Sequence, residues 1–170
     1  RQSATEITQT ILGLVSNAKD FKSEKGVRFF IYSPIVKDRK GEYSALFDNL
    51  RKQGILRARV DGDVMSLKEK FDLIKTNKHT IDALISRHSI NSKKMSNDSN
   101  SKSAFSEIFQ SVETALRLSG GTVIVSIVKD SSFDFPENPK ETEDHLFSEN
   151  FACPICNISL PEIEPRTFSF

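Results

Sequence analysis

The pattern of apolar and polar positions divides the chain into alternating helical and extended stretches. Apolar residues recur at near-helical spacing from about Ala4 to Val15, and Ser3 can cap this helix. Val27 to Tyr32 is rich in strand-forming residues and is followed by Ser33-Pro34, which we expect to end the strand. Lys37 to Gly41 then predicts a charged turn.

The next stretch predicts a second helix and a hairpin. Glu42 to Gln53 places its apolar residues on one helical face. Ile55 to Val60 alternates, so that Arg57 and Arg59 face away from the apolar side. That apolar side comprises Leu56, Ala58 and Val60. Asp61-Gly62 is a strong hairpin turn.

The second half of the chain predicts a further strand, helix and strand. His79 to His88 alternates loosely. Its inward positions are Ile81, Ala83 and Ile85, and its outward positions are Thr80, Asp82, Leu84 and Ser86. The polar stretch 91–103 predicts a mobile loop, because it has too little apolar area to order itself. Ala104 to Leu118 predicts a helix, with an inward set that includes Phe105, Ile108, Phe109 and Val112. The nearly all-apolar Thr122 to Val128 predicts an interior strand, and 131–143 predicts a loop.

With the small hairpin set aside, the core order is strand, helix, strand, strand, helix, strand. This is the order of a split βαβ sandwich, in which two helices cover one face of a sheet. We therefore expect an α+β fold with a small mixed sheet covered by helices. The first domain is expected to span residues 1–146, with residues 147–170 as a C-terminal appendage.

Composition narrows the function classes. The 170 residues suit one domain, and a net charge of +1 excludes bulk basicity as a source of nucleic-acid binding. No apolar run approaches the ~20 residues of a membrane helix, and the N-terminus lacks the apolar core of a signal peptide. A cytoplasmic protein without membrane contact is the expectation.

The only two cysteines, Cys153 and Cys156, form a Cys-x-x-Cys pair. Such a turn presents two thiolates, which is half of a tetrahedral zinc site. Two other interpretations stay open, a redox dithiol and a pair of structural cysteines. His145 is the nearest histidine in sequence but is poorly spaced to complete a site. We expect the missing ligands to lie beyond Phe170, in a longer protein.

Basic residues give two candidate binding surfaces. Arg57, Arg59 and Arg87 can share one sheet face, either as a solvated surface or as a protein interface. A second surface is the basic turn, whose cations suit phosphate contact: Lys37, Arg39 and Lys40. The quartet 118–121 reads LSGG, as in the signature of ABC-type ATPases, but it follows a helix and no Walker A motif is present, so we interpret it as a helix C-cap.

The chain resembles UvrA, the family of DNA-damage-recognising ATPase subunits of the bacterial UvrABC excinuclease. The matching segments run from Ser33 to Glu42-Tyr43, and then include Gln53-Gly54, Arg57 to Gly62, Lys78 to Ile81, Glu113 to Leu116 and Phe147 to Phe170. The resemblance implies that residues 1–146 are the UvrB-interaction domain of the first ATPase half. It implies that residues 147–170 begin a zinc module that returns to the ATPase core.

The resemblance also implies roles for individual residues. Arginines matching Arg57 and Arg87 contact UvrB in the family, and Arg59 lies beside them. The matches of Cys153 and Cys156 bind zinc together with a second Cys-x-x-Cys pair. The parent protein is expected to be a homodimeric ABC-type ATPase that binds ATP outside this chain and acts on damaged double-stranded DNA. The fragment itself is expected to have no ATPase activity.

Three departures from the family pattern are visible. Asn157 stands where the family usually has Gly, Ser86 stands where it usually has Asp, and the loop 91–103 is longer than usual. The leading hypothesis is a UvrB-docking domain. The first alternative is a DNA-binding module that uses Lys37, Arg39 and Lys40 together with Arg57 and Arg59. The second is a thiol redox domain.

Overall fold

A six-stranded sheet organises the residues that the computed structural model describes, which are 3–68, 73 and 76–149. Its strands are β1 (Val27–Lys40), β2 (Arg57–Val60), β3 (Asp63–Ser66), β4 (Lys78–Ile90), β5 (Thr122–Val128) and β6 (Thr142–Ser148). The helices of these residues are α1 (Ala4–Ser16), α2 (Ser44–Lys52), α3 (Ser92–Met95) and α4 (Asp98–Ser119), with a 3-10 turn at Lys19–Lys22.

The strands lie in the order β3-β2-β4-β1-β5-β6, and each pairing is antiparallel. With β3 and β6 set aside, the chain follows the split βαβ order, since β4 inserts between β1 and β2. The predicted α+β class and this order are confirmed. The prediction of a mixed sheet is wrong, because every pair of neighbouring strands is antiparallel.

The helices lie on one face of the sheet and bury the main core. Helix α4 crosses β1, β4 and β5, and α1 packs against α4. The largest cluster there includes Ile7, Ile11, Phe29, Ile31, Ile108, Val112, Val123 and Val125. Helix α2 covers a second cluster through Phe47 and Leu50. A smaller cluster of Phe30, Tyr32 and Val128 lies on the opposite face, and it contains no residue from a described helix.

Strand β1 is longer than the sequence predicted. Ser33-Pro34 does not end it, and the expected charged turn is extended as far as Lys40, which pairs with Lys78. The pairing of β1 with β5 stops at Tyr32, so β5 does not flank the strand at Pro34, and proline is tolerated at such an edge. The basic residues of this region therefore lie on the outer half of a strand.

The stretch 91–103 is not a loop without regular structure. It contains α3 and the first turn and a half of α4, which begins at Asp98 rather than at Ala104. Two asparagines start these helices, because the Asn91 side chain accepts from the Lys94 N–H and the Asn97 side chain accepts from the Asn100 N–H. Composition predicted a loop, but the two asparagine caps stabilise helices in this stretch.

Burial also differs from the sequence prediction at three apolar residues. Leu56 is 58% exposed, because β2 begins one residue later and Ile55 fills the inward position instead. Phe105 and Phe109 are only partly buried and stack on each other along α4, with ring centres 6.2 Å apart. The buried line of α4 consists of Ala104, Ile108, Val112, Ala115 and Leu116.

Strand β6 was not predicted. It pairs with β5 from Val128 opposite Thr142 to Thr122 opposite Ser148, so β5 is an interior strand as expected. Phe147 of β6 is buried in the main core. The sheet therefore continues two residues past the expected domain boundary after residue 146.

The environment of His88 predicts that the stability of the fold falls in acid. Its ring stacks on Phe29 at 5.1 Å, its Nε2 lies 2.8 Å from Ser86 Oγ, and burial lowers its pKa to about 4. The unfolded chain binds a proton near pH 6.5 whereas the folded chain resists it, so stability is full above pH 6.5 and falls as the pH drops toward 4. We expect this histidine to account for a loss on the order of 2–3 kcal/mol.

Denaturant unfolding of the wild type and of His88→Gln from pH 7 to pH 4 measures this contribution. Carboxylates such as Asp61 also titrate in acid, but they are common to both proteins. The wild type should lose more stability than the variant across that range. Parallel pH profiles would show that His88 does not sense pH.

Candidate partner-binding face

The three candidate arginines lie together on the helix-free face of the sheet. Arg59 of β2 is directly opposite Asp82 of β4, and Arg87 of β4 is directly opposite Phe30 of β1. Arg57 is two residues from Arg59 on the same strand and shares its face. The expectation of a shared face is therefore met, although their role in partner binding stays a prediction.

A bulge in β4 is what brings Arg87 to this face. Ile31 pairs with Ser86 and Tyr32 pairs with Leu84, so Ile85 is an extra residue on β4. The extra residue reverses the alternation, and Ser86 turns inward, where its Oγ meets the His88 ring on the core side. The sequence prediction that Ser86 faces outward is therefore wrong.

Arg59 is held inside the domain. Its guanidinium lies 2.9 Å from a carboxylate oxygen of Asp82 and 2.9 Å from one of Asp144, and its side chain is 12% exposed. It also stacks over the Tyr32 ring at 4.3 Å and donates to Ser126 Oγ at 3.4 Å. With its donors directed at these partners, Arg59 is placed to stabilise the fold, and its predicted role in partner binding stays a prediction.

Burial around Arg59 also shifts the pKa values of two neighbouring groups. Burial raises the pKa of Asp82, although the Arg59 guanidinium opposes that rise. Burial likewise raises the pKa of the Tyr32 hydroxyl well above its usual range. Asp82 therefore depends on Arg59 for its ionised form, as expected for a buried ion pair.

Arg57 is at the surface and is bound on one side. Its Nη2 lies 2.9 Å from Glu137 Oε1, and the two side chains are 34% and 68% exposed. The hydrogen bond and charge of Arg57 lower the pKa of the Glu137 carboxyl. This is an accessible ion pair of the kind that contributes little to stability.

Arg87 is exposed and is oriented by an aromatic ring. Its guanidinium carbon lies 4.3 Å from the centre of the Phe135 ring, and its Nη2 donates to the Phe135 carbonyl at 3.3 Å. Phe135 itself packs edge-on against Phe30 at 5.2 Å. Planar stacking holds the guanidinium without using many of its donors, so most of them remain available to a partner.

Glu137 and Phe135, which hold Arg57 and Arg87, both belong to residues 129–141, which we call the covering segment. The buried Arg28 of β1 anchors its first half, donating to the carbonyl groups of Asp130 (2.7 Å), Ser132 (2.9 Å) and Asp134. Its ends are joined by the Lys129 N–H donating to the Glu141 carbonyl at 2.8 Å. Arg28 therefore fixes the segment across the face on which Arg57 and Arg87 lie.

The end of β1 carries three further basic residues. Lys37, Arg39 and Lys40 are exposed, and Arg39 and Lys40 pair across the strands with His79 and Lys78. Arg57 and Arg59 do not extend this patch as free cations, because both are paired with carboxylates. The structure thus divides the basic residues that the DNA-binding hypothesis combined.

The remaining sequence candidates lie elsewhere. Cys153 and Cys156 fall outside the described residues, so the zinc half-site stays a prediction. His145 is buried in β6 and its Nε2 lies 2.6 Å from Glu143 Oε2. Within residues 3–68, 73 and 76–149, no cluster of three or more His, Cys, Asp or Glu side chains is arranged to hold a metal.

Gly120 ends α4 in the left-handed conformation, with φ at +81° and its N–H donating to the Leu116 carbonyl, so the interpretation of LSGG as a C-cap is confirmed. None of the helices in the described part of the chain is long and apolar enough to cross a membrane.

Sequence reasoning missed Arg28, Phe135 and Glu137. Arg28 lies within a run of apolar residues in β1, where a charged side chain must find buried partners, and this was an available signal. Phe135 and Glu137 lie in a stretch rich in Pro and acidic residues that predicted only a loop. Their contacts with residues far away in sequence leave no local pattern.

The fold and this face define an α+β domain with two accessible arginines on the helix-free side of its sheet. The family model for the UvrA interaction domain matches residues 2–129, and the chain belongs to that family.

Full-length relatives agree with this assignment. The chain is 41% identical over 162 residues to UvrABC system protein A of Salmonella typhimurium and of Escherichia coli K12, and 38% identical to that of Pasteurella multocida. Each match covers 95% of this chain and 15% of the relative. The chain therefore spans a small part of the length of these relatives.

Proposed function

We propose that this chain is the protein-interaction domain of a nucleotide excision repair ATPase and that it docks UvrB through Arg57 and Arg87. The observation that carries the proposal is the pair of accessible arginines on one sheet face, each at a position where the family resemblance implies a UvrB contact. In the longer protein, docking would bring UvrB to damaged DNA in the cytoplasm. ATP and zinc would bind outside the described residues.

The physical basis of docking is the chemistry of these two side chains and the orientation of Arg87. An arginine combines planar stacking with several directed donors, which makes it a frequent hot-spot residue at interfaces. Phe135 holds the Arg87 guanidinium in place before a partner arrives, so less side-chain freedom is lost on binding. Arg59 supports the same face from within, and we assign it a structural role.

Direct DNA binding is the second candidate, and the exposed basic end of β1 is the observation in its favour. Three phosphate contacts from Lys37, Arg39 and Lys40 would give a logarithmic salt slope of about −3 on duplex DNA. The acidic partners of Arg57 and Arg59 weaken this candidate, since they reduce the positive potential of the neighbouring face.

Calorimetric titration of the chain with UvrB, and separately with a short DNA duplex, distinguishes the two functions. Docking predicts saturable binding of UvrB with one site per chain and no saturable binding of the duplex. If the duplex binds with that salt slope while UvrB does not bind, the docking function is wrong and the DNA-binding function replaces it.

A further inference from the structure

We propose that Glu137 masks Arg57 in the free domain and that an acidic side chain of the partner takes its place in the complex. The inference rests on the proposed docking function and adds to it the chemistry of the contact. The covering segment is then an internal competitor of the partner for Arg57.

The first observation is the position of the pair. Glu137 comes from the covering segment and Arg57 from β2, eighty residues apart in sequence, with Nη2 and Oε1 2.9 Å apart. Glu137 is 68% exposed and Arg57 is 34% exposed, so solvent and a partner can both reach the contact. A partner protein that binds Arg57 must therefore compete with Glu137 for the guanidinium.

The second observation is that neighbouring contacts hold the covering segment independently of this ion pair. Asn138 Oδ1 accepts from the Val64 N–H at 3.0 Å, and Phe135 packs on Phe30 at 5.2 Å. Arg28 anchors the first half of the segment. Glu137 is therefore presented to Arg57 by its flanking residues, and its charge can be removed without releasing the segment.

The ion pair between Glu137 and Arg57 is also weak enough for a partner to displace. Accessible ion pairs of this kind shift an equilibrium by only about 1.4- to 5-fold, so a partner can displace Glu137. The displaced carboxylate returns to water, where it is readily solvated. A guanidinium that is held by one carboxylate in the free state is matched in the complex by another carboxylate, which is its preferred planar acceptor.

The third observation is the contrast with Arg87. Its tether is the uncharged face of Phe135 and one carbonyl group, which orient the guanidinium without neutralising it. The same segment thus prepares one arginine and masks the other. Loss of the Glu137 charge should act mainly on Arg57, because the effect of Arg87 on the Glu137 carboxyl is the smaller one.

The substitution Glu137→Gln tests the mask, because it removes the charge and keeps the shape. Glu141→Gln is the matched control: it makes the same charge change in the same segment, and no ion pair of Glu141 is present among the described residues. We expect Glu137→Gln to tighten UvrB binding by about two- to fivefold and Glu141→Gln to leave it unchanged. The gain should shrink as salt is added.

Combination with Arg57→Ala separates the inference from the function on which it rests. If Glu137 acts through Arg57, then Glu137→Gln has no effect on UvrB affinity in an Arg57→Ala background. Weaker or unchanged binding of Glu137→Gln, with Arg57→Ala alone still weakening UvrB, overturns the mask and leaves docking intact. Unchanged binding of Arg57→Ala overturns the docking role of Arg57, and the mask with it.

A second measurement follows Glu137 directly. Arg57 lowers the pKa of the Glu137 carboxyl in the free domain, and displacement by a partner should return that pKa toward its ordinary value. Carboxyl NMR titration with and without UvrB detects this change. A Glu137 pKa that stays lowered in the complex means that the pair persists and is not displaced.

Discussion

Replacement of Arg59 by alanine is expected to lower the free energy of unfolding by about 3 kcal/mol, the largest effect on stability that we predict here. The substitution leaves Asp82, whose side chain is 5% exposed, without the cation that faces it at 2.9 Å. Asp144 is 43% exposed and can turn to solvent, so the loss falls mainly on Asp82. Truncation also removes the stacking of the guanidinium on Tyr32.

Denaturant unfolding at several pH values checks the cause. Burial raises the pKa of Asp82, and without Arg59 only the smaller effect of the Lys37 charge opposes the rise. A carboxyl with a raised pKa in the folded state destabilises the fold once it ionises, so the defect of Arg59→Ala should shrink as the pH is lowered. Adding Asp82→Asn should restore part of the loss at neutral pH. If the loss of stability did not depend on pH, lost packing would be responsible rather than the unpaired Asp82 carboxylate.

Alanine at Arg57 or at Arg87 is expected to weaken UvrB binding by about 1–4 kcal/mol for each substitution. Neither change opens a cavity, because the partners of Arg57 and Arg87 lie at the surface in the covering segment. Circular dichroism and the unfolding midpoint should therefore stay native. Arg87→Ala should cost more than Arg57→Ala, since loss of Arg57 also removes the need to displace Glu137.

Phe135→Ala distinguishes orientation from contact at Arg87. The Arg87 charge remains in this variant, but the ring that holds the guanidinium at 4.3 Å is gone. Weaker UvrB binding with an unchanged salt dependence would indicate that the ring acts by orienting Arg87. Native affinity would indicate that Arg87 needs no support.

Periodicity predicted the elements whose side chains repeat regularly. Helix α1 begins at Ala4 and carries the capping box of Ser3 and Glu6, both of which are local signals. Strand β5 could be placed inside the sheet because it is apolar on both faces. Such features depend on a few adjacent residues, and for this reason the sequence specifies them well.

Pairing partners decided the features that periodicity did not predict. Pro34 is tolerated in β1 because the pairing with β5 has already stopped at Tyr32. Arg87 faces outward because β4 has an extra residue at Ile85, and strict alternation would have turned it toward the core. A sequence read strand by strand contains neither fact.

The candidate site was predictable in part for the same reason. Arg57 and Arg59 could be assigned to one face from alternation, but only the fold shows that Asp82 and Asp144 bury one of them. The masking of Arg57 depends on Glu137, which approaches from a segment without regular structure. Residues that act together here are brought together by tertiary structure.

The most direct test of the account is calorimetric titration of UvrB into three forms of this chain: the wild type, Arg57→Ala/Arg87→Ala, and Lys37→Ala/Lys40→Ala. Both double variants lose two positive charges, but only the first removes Arg57 and Arg87. We expect it to lose at least about 30-fold in affinity, while the second binds as the wild type does. Wild-type affinity in a natively folded Arg57→Ala/Arg87→Ala variant, or an equal loss in both double variants, would contradict docking through these arginines.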